Sequence, residues 1–156
     1  MTSEIKSFVS YLRDVRQTSK NTEISYQRDL QQLAAFLEGK GITDVEKVTR
    51  TSLNSYILYL EKEGKATTTI SRELASIKAF FSYLFREGII RRDPSELLKA
   101  PKIEKKAPVI LSVNEVNALL DQPGTSSAKE IRDKAMMELL YATGIRVPVA
   151  VSVSNA

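Results

Sequence analysis

The amino-acid sequence predicts an all-α protein: a four-helix bundle, a basic connector, and the first two helices of a second, incomplete unit. Three observations carry this. Between Ala66 and Glu87, the residues Ile70, Leu74, Ile77, Phe81 and Leu84 recur at spacings of 4, 3, 4 and 3. At about 100° per residue they form one narrow stripe of a helix. Stripes of the same period recur in three earlier segments. Residues suited to begin a helix (Ser19, Thr49, Ser112, Ser127) and to end one (Gly39, Gly64, Gly88) punctuate the chain where those stripes start and stop.

Residues 2–17 place Ile5, Phe8, Val9, Leu12 and Val15 inward. Thr18 to Thr22 is a break rich in capping residues, with Ser19 as N-cap of a helix over 20–38. That helix has the inner stripe Tyr26, Leu30, Leu33 and Leu37, and Gly39-Lys40-Gly41 ends it, since glycine accepts the left-handed cap conformation. Its first turns present Lys20, Asn21, Thr22, Ser25 and Arg28. Free N–H groups and the helix dipole at such a start favour a phosphate, although a plain helix cap accounts for the same residues. A third helix, 50–62, follows Thr49 and buries Leu53, Tyr56, Ile57 and Leu60.

The fourth helix, 66–87, has Phe80 and Phe85 flanking its stripe. Its opposite face carries Thr68, Arg72, Ala75, Ala79, Ser82 and Arg86, with Ser71 and Lys78 at the edge. Small side chains separated by cations let a helix lie close to a polyanion, and arginines can reach phosphates or base edges. An ordinary solvated face reads the same way.

Residues 89–108 change character. Arg91, Arg92, Lys99, Lys102, Lys105 and Lys106 stand against Asp93, Glu96 and Glu104, interrupted by Pro94, Pro101 and Pro108. An extended basic connector fits, with room for a short helix at 94–99; it serves as a flexible linker or as a strap along a nucleic-acid backbone. Beyond it, Ser112-Val-Asn-Glu115 and Ser127-Ala-Lys-Glu130 are capping boxes that open helices at 113–121 and from 128 to about 141–143. The second is apolar around most of its circumference, which requires a larger domain around it.

Bulk properties exclude several classes. The chain has 156 residues, 42% apolar, with neither cysteine nor histidine. Disulfides, thiol chemistry and the commonest general base and metal ligand are therefore absent. No apolar run approaches ~18 residues and the start does not read as a signal peptide, so a soluble protein of a reducing cytoplasm, with no membrane partner, is expected. The net charge of +4 is uneven: residues 1–108 hold 19 Lys and Arg against 14 Asp and Glu, residues 109–156 hold 4 against 5. The basic character thus belongs to the first part and its connector.

Taken together, several pieces carry a resemblance. They are Asn21-Thr-Glu-Ile-Ser-Tyr-Gln-Arg-Asp-Leu30, Thr69-Ile-Ser-Arg-Glu-Leu-Ala-Ser-Ile-Lys-Ala-Phe80, Asp93-Pro94, Pro101-Lys102, Pro108-Val-Ile-Leu-Ser112, and the run Ile131-Arg-Asp-Lys-Ala-Met-Met-Glu-Leu-Leu-Tyr-Ala-Thr-Gly-Ile-Arg146-Val. In this order and spacing the chain resembles the tyrosine recombinases, or phage-type integrases, in their Xer-like branch. The resemblance implies a SAM-like core-binding domain over residues 1–88, a basic linker over 89–108 and a truncated start of the catalytic domain over 109–156. It implies double-stranded DNA as partner, a role in DNA integration and recombination, and helices 20–38 and 66–87 near the major groove. The implied DNA contacts are Lys20, Asn21, Thr22, Ser25, Arg28, Thr68, Ser71, Arg72, Lys78 and Arg86, with Arg91, Arg92, Lys102, Lys105 and Lys106 on the backbone.

Arg146 matches the family's first catalytic arginine, which holds the scissile phosphate while a tyrosine attacks phosphorus. The resemblance implies no metal and no other cofactor. Past Arg146 the sequence Val147-Pro148 to Ala156 departs from the family, as a shifted reading frame or an artificial chain end would leave it, and Pro148 breaks a helix. The downstream lysine, histidines, second arginine and nucleophilic tyrosine have no counterpart; Tyr141 reads as packing. The 156-residue chain is therefore expected to be inactive in strand cleavage by itself. A second reading is a helical interaction module that self-associates or pairs with a full-length recombinase.

Overall fold

The computed structural model describes residues 1–101 and 107–145. Among these residues six α-helices run in order: α1 (Thr2–Asp14), α2 (Lys20–Glu38), α3 (Arg50–Lys62), α4 (Thr67–Arg86), α5 (Val113–Leu120) and α6 (Ala128–Thr143), with a 3-10 turn at Val45–Lys47 between α2 and α3. Among the described residues there is no strand. The chain divides into two compact units, residues 1–105 and 106–156.

In the first unit α4 packs against α1, α2 and α3. The stripe Ile70, Leu74, Ile77, Phe81 and Leu84 is buried, together with Phe80 and Tyr83. Phe8 from α1 meets Phe80 edge-on at 5.5 Å and Tyr83 at 5.3 Å. Leu30, Leu33 and Leu37 of α2 and Leu53, Tyr56 and Leu60 of α3 complete the core. Each buried Leu or Phe contributes about 1.5–3 kcal/mol relative to exposure.

Local signals hold at the helix ends. Ser19 Oγ accepts the Thr22 N–H at 3.3 Å. Thr49 and Ser52 cap each other reciprocally at the start of α3. The left-handed stop after α2 is Gly41 (φ 75°), while Gly39 stays helical; the Ile42 N–H reaches back to the Leu37 carbonyl at 2.9 Å, which only a residue tolerant of positive φ between them allows.

Three details depart from the periodicity. Helix α1 ends at Asp14, and Val15, expected inward, is 67% exposed. Val15 is the C-cap, still in αR geometry with its N–H on the Tyr11 carbonyl at 3.0 Å. Directly after it Gln17 takes positive φ and the Leu12 carbonyl accepts both the backbone N–H and the hydroxyl of Thr18, so the chain turns at the point where residue 15 stands. Phe85, expected to widen the buried face of α4, is half-exposed, while Tyr83 and Leu84 of the same turn are buried, so the last turn covers one narrower side than the spacing predicts. The stretch after Gly88 is not simply extended. Ile90 and Leu98 belong to the bundle core, and Asp93 Oδ1 closes a turn by accepting the Ser95 N–H at 2.7 Å and its hydroxyl at 2.6 Å. Two anchoring side chains are enough to fold residues 90–98 onto the bundle.

In the second unit Ser112–Glu115 and Ser127–Glu130 form the capping boxes at α5 and α6. None of its described residues is buried.

Candidate nucleic-acid interface

The first turns of α2 are polar and tied locally. Thr22 and Ser19 hydroxyls lie 2.9 Å apart. Lys20 Nζ is 3.8 Å from Glu23 Oε2, which also accepts from Arg13 Nε at 3.1 Å. Asn21 and Arg28 are exposed, and Thr22 and Ser25 are half-buried.

On α4 the candidate residues separate into different environments. Thr68 is exposed. Ser71 Oγ is buried, with no hydrogen-bond partner among the described residues. Lys78 Nζ lies 3.5 Å from the Glu96 carbonyl oxygen. Arg86 donates from Nη2 to the Tyr11 hydroxyl at 2.7 Å, and its guanidinium stands 5.2 Å from the Tyr11 ring centre. Arg86 and Arg72 are about 21 Å apart along the helix at ~1.5 Å per residue, so they do not address one contact point.

Arg72 is the cation most firmly built into the fold. Its Nη1 donates to both carboxylate oxygens of Asp29 on α2, at 2.6 Å to Oδ1. Asp29 is 2% exposed, whereas the Arg72 side chain is 44% exposed. The Asp29 hydrogen bond holds the guanidinium charged even more firmly than usual. Next to it Glu73, 3% exposed, turns away and accepts the Tyr56 hydroxyl at 2.8 Å. Burial pushes the Glu73 carboxyl above the ordinary glutamate value, with the Asp29 charge adding to the rise. Burial, then the hydrogen bond to Glu73, raises the Tyr56 hydroxyl well above the ordinary tyrosine value.

Asp29, Glu73 and Glu23 were not singled out from the sequence, yet a signal was there. Glu23 and Asp29 lie three residues either side of Tyr26 on the α2 stripe, and Glu73 lies three after Ile70 on the α4 stripe. A carboxylate on an inward stripe needs a partner, and each has one here. Tyr11, which supports Arg86, carried no comparable signal.

Arg91 and Arg92 are exposed and line a cavity of about 630 Å³ with Arg50, facing Glu46, Asp93 and Glu96. Three cations against three anions leave the cavity itself without a formal net charge. Lys102, Lys105, Lys106 and Arg146 lie outside the described residues, as does the Val147–Ala156 tail. Among the described residues no acidic cluster is arranged to hold a metal ion, and no helix is long and apolar enough to cross a membrane. In the second unit Tyr141, expected to pack, is exposed, as are Val113, Leu119, Ile131 and Leu139.

The first unit is thus a SAM-like helical bundle with a cationic side, and residues 5–88 match the family described as phage integrase, N-terminal SAM-like domain. The chain belongs to that family. Its relatives extend the likeness through both units. It is 37% identical over 155 residues to tyrosine recombinase XerC of Roseiflexus castenholzii, covering 99% of this chain and 49% of that protein. It is 40% identical over 151 residues to tyrosine recombinase XerD of Oceanobacillus iheyensis, covering 96% and 50%. It is 35% identical over 153 residues to tyrosine recombinase XerD of Listeria monocytogenes serotype 4b, covering 97% and 52%. The chain spans about half the length of these relatives.

Proposed function

We propose that residues 1–101 form the part of an Xer-like site-specific tyrosine recombinase that grips duplex DNA, using the N-terminal half of α2 and the cationic side of α4. The observation that supports this best is Arg72. A half-exposed guanidinium is anchored where α2 meets α4, between small or polar neighbours, in a chain whose relatives are named tyrosine recombinases. Lys20, Asn21, Thr22, Ser25, Arg28 and Thr68 surround this region on the same two helices. Lys78, Arg86, Arg91, Arg92, Lys102, Lys105 and Lys106 would add backbone contacts, and Ser71 would need its hydroxyl uncovered to take part. Fluorescence anisotropy with a labelled duplex of ~30 base pairs tests the reading. Affinity should fall steeply with salt, with a slope near −0.9 per phosphate contact. Absence of binding at low salt by the folded chain would overturn it.

Arg146 is proposed as the first arginine of the catalytic set, with no nucleophile supplied within these 156 residues. This polypeptide should therefore bind DNA without cleaving it. A covalent protein–DNA adduct trapped on a recombination site would refute that. A second reading, self-association or pairing with another recombinase subunit, is favoured by the exposed apolar residues of α5 and α6. Sedimentation analysis at increasing concentration separates it: a strictly monomeric chain that mixes with no recombinase would exclude it.

A further inference from the structure

We propose that Asp29 is a positioning residue for DNA reading: it fixes Arg72 by one terminal nitrogen so that the opposite edge of the guanidinium meets a guanine in the major groove. The inference rests on the DNA-binding reading above. Nη1 gives its hydrogens to both oxygens of Asp29, and Nε and Nη2 make no hydrogen bond among the described residues. Those two nitrogens form the pair of parallel donors that suits guanine O6 and N7. Their neighbours leave access. Thr68, one turn before Arg72, and Ala75, nearly one turn after, are short and exposed. Glu73 does not compete for the guanidinium, because its carboxylate is engaged by the Tyr56 hydroxyl on the buried side.

Charge and entropy both argue for direction over bulk attraction. The Arg72–Asp29 pair is formally neutral, so it releases few counterions and adds little to sequence-independent affinity. The anchor is rigid: Asp29 sits beside the fully buried Leu30 on α2, and Arg72 beside the buried Glu73 and Leu74 on α4. A guanidinium already held in place loses less freedom on binding. What the pair offers a duplex is orientation.

The test begins with selection by the full chain from a pool of ~30-base-pair duplexes with a randomised centre. Anisotropy on the selected duplex and on a scrambled one follows. Asp29→Asn should lose preference at the same base position as Arg72→Ala, by on the order of tenfold. Its affinity for the scrambled duplex should stay equal or rise, because a negative charge has gone. A merely structural ion pair would not split the two readouts in this way. Unchanged preference in a folded Asp29→Asn chain overturns the inference and leaves the DNA reading intact; a wild-type chain that binds no duplex overturns both. Should Asp29→Asn fail to fold, NMR of the Arg72 guanidinium in the wild-type chain decides. Restricted rotation retained on the selected duplex supports the inference, and free rotation in the complex overturns it.

Discussion

Tyr56 on α3 donates its phenolic hydrogen to Glu73 Oε2 on α4 at 2.8 Å, with both residues buried. The bond joins the two helices through a polar contact inside an apolar interface. Tyr56→Phe removes the donor and leaves a buried carboxyl unsatisfied. It should destabilise the bundle by about 1–3 kcal/mol. Urea denaturation followed by circular dichroism measures this, and an unchanged midpoint would show that the bond contributes nothing net.

Glu73 also sets a pH dependence. Its native pKa is raised above 4.5, chiefly by burial. The native state therefore holds the proton more firmly than the unfolded chain. This contribution is complete below the unfolded value and is lost as pH rises through the raised native value. Glu73→Gln stays neutral throughout. Relative to wild type the variant should gain stability as pH rises from the unfolded glutamate value through the raised native one. A stability difference that is flat over that window would contradict the assignment.

Phe81 is fully buried and touches Phe80 edge-on at 5.3 Å. Phe81→Ala should cost about 3–5 kcal/mol through lost transfer energy and the cavity left behind. Val15→Ala, on an exposed side chain, should fall within about 0.5 kcal/mol of wild type. Thermal unfolding of the two variants compares a core position with a surface one that periodicity alone treats alike.

Ser19→Ala removes the acceptor for the Thr22 N–H at the start of α2. A loss of about 1 kcal/mol is expected. Amide hydrogen exchange should show it as faster exchange confined to the first turn of α2. Uniform acceleration over the whole bundle would point to a different cause.

Arg28→Ala and Arg91→Ala remove exposed cations for which no ion pair appears among the described residues. Each should weaken binding to all duplexes alike and reduce the salt slope by about 1. Loss of selectivity without change of slope would move these residues from backbone contacts to base readers.

The sequence by itself determined the helices and most of their ends. Apolar spacing of three and four residues and Ser or Thr caps act within one or two turns, so Lys20–Glu38 and Arg50–Lys62 are legible without knowing what they touch. It also marked α4 as a core helix, because its stripe is long and aromatic. Exposure at a helix end, as at Val15, was not legible, since the spacing does not show where the chain turns off. Nor were the partners of the charged residues. Arg72 and Arg86 look like two equal cations on one face, yet one is clamped by a buried carboxylate on α2 and the other rests on Tyr11 of α1. Those pairings span 43 and 75 residues of chain. They depend on how the helices cross, and only the packed bundle sets that.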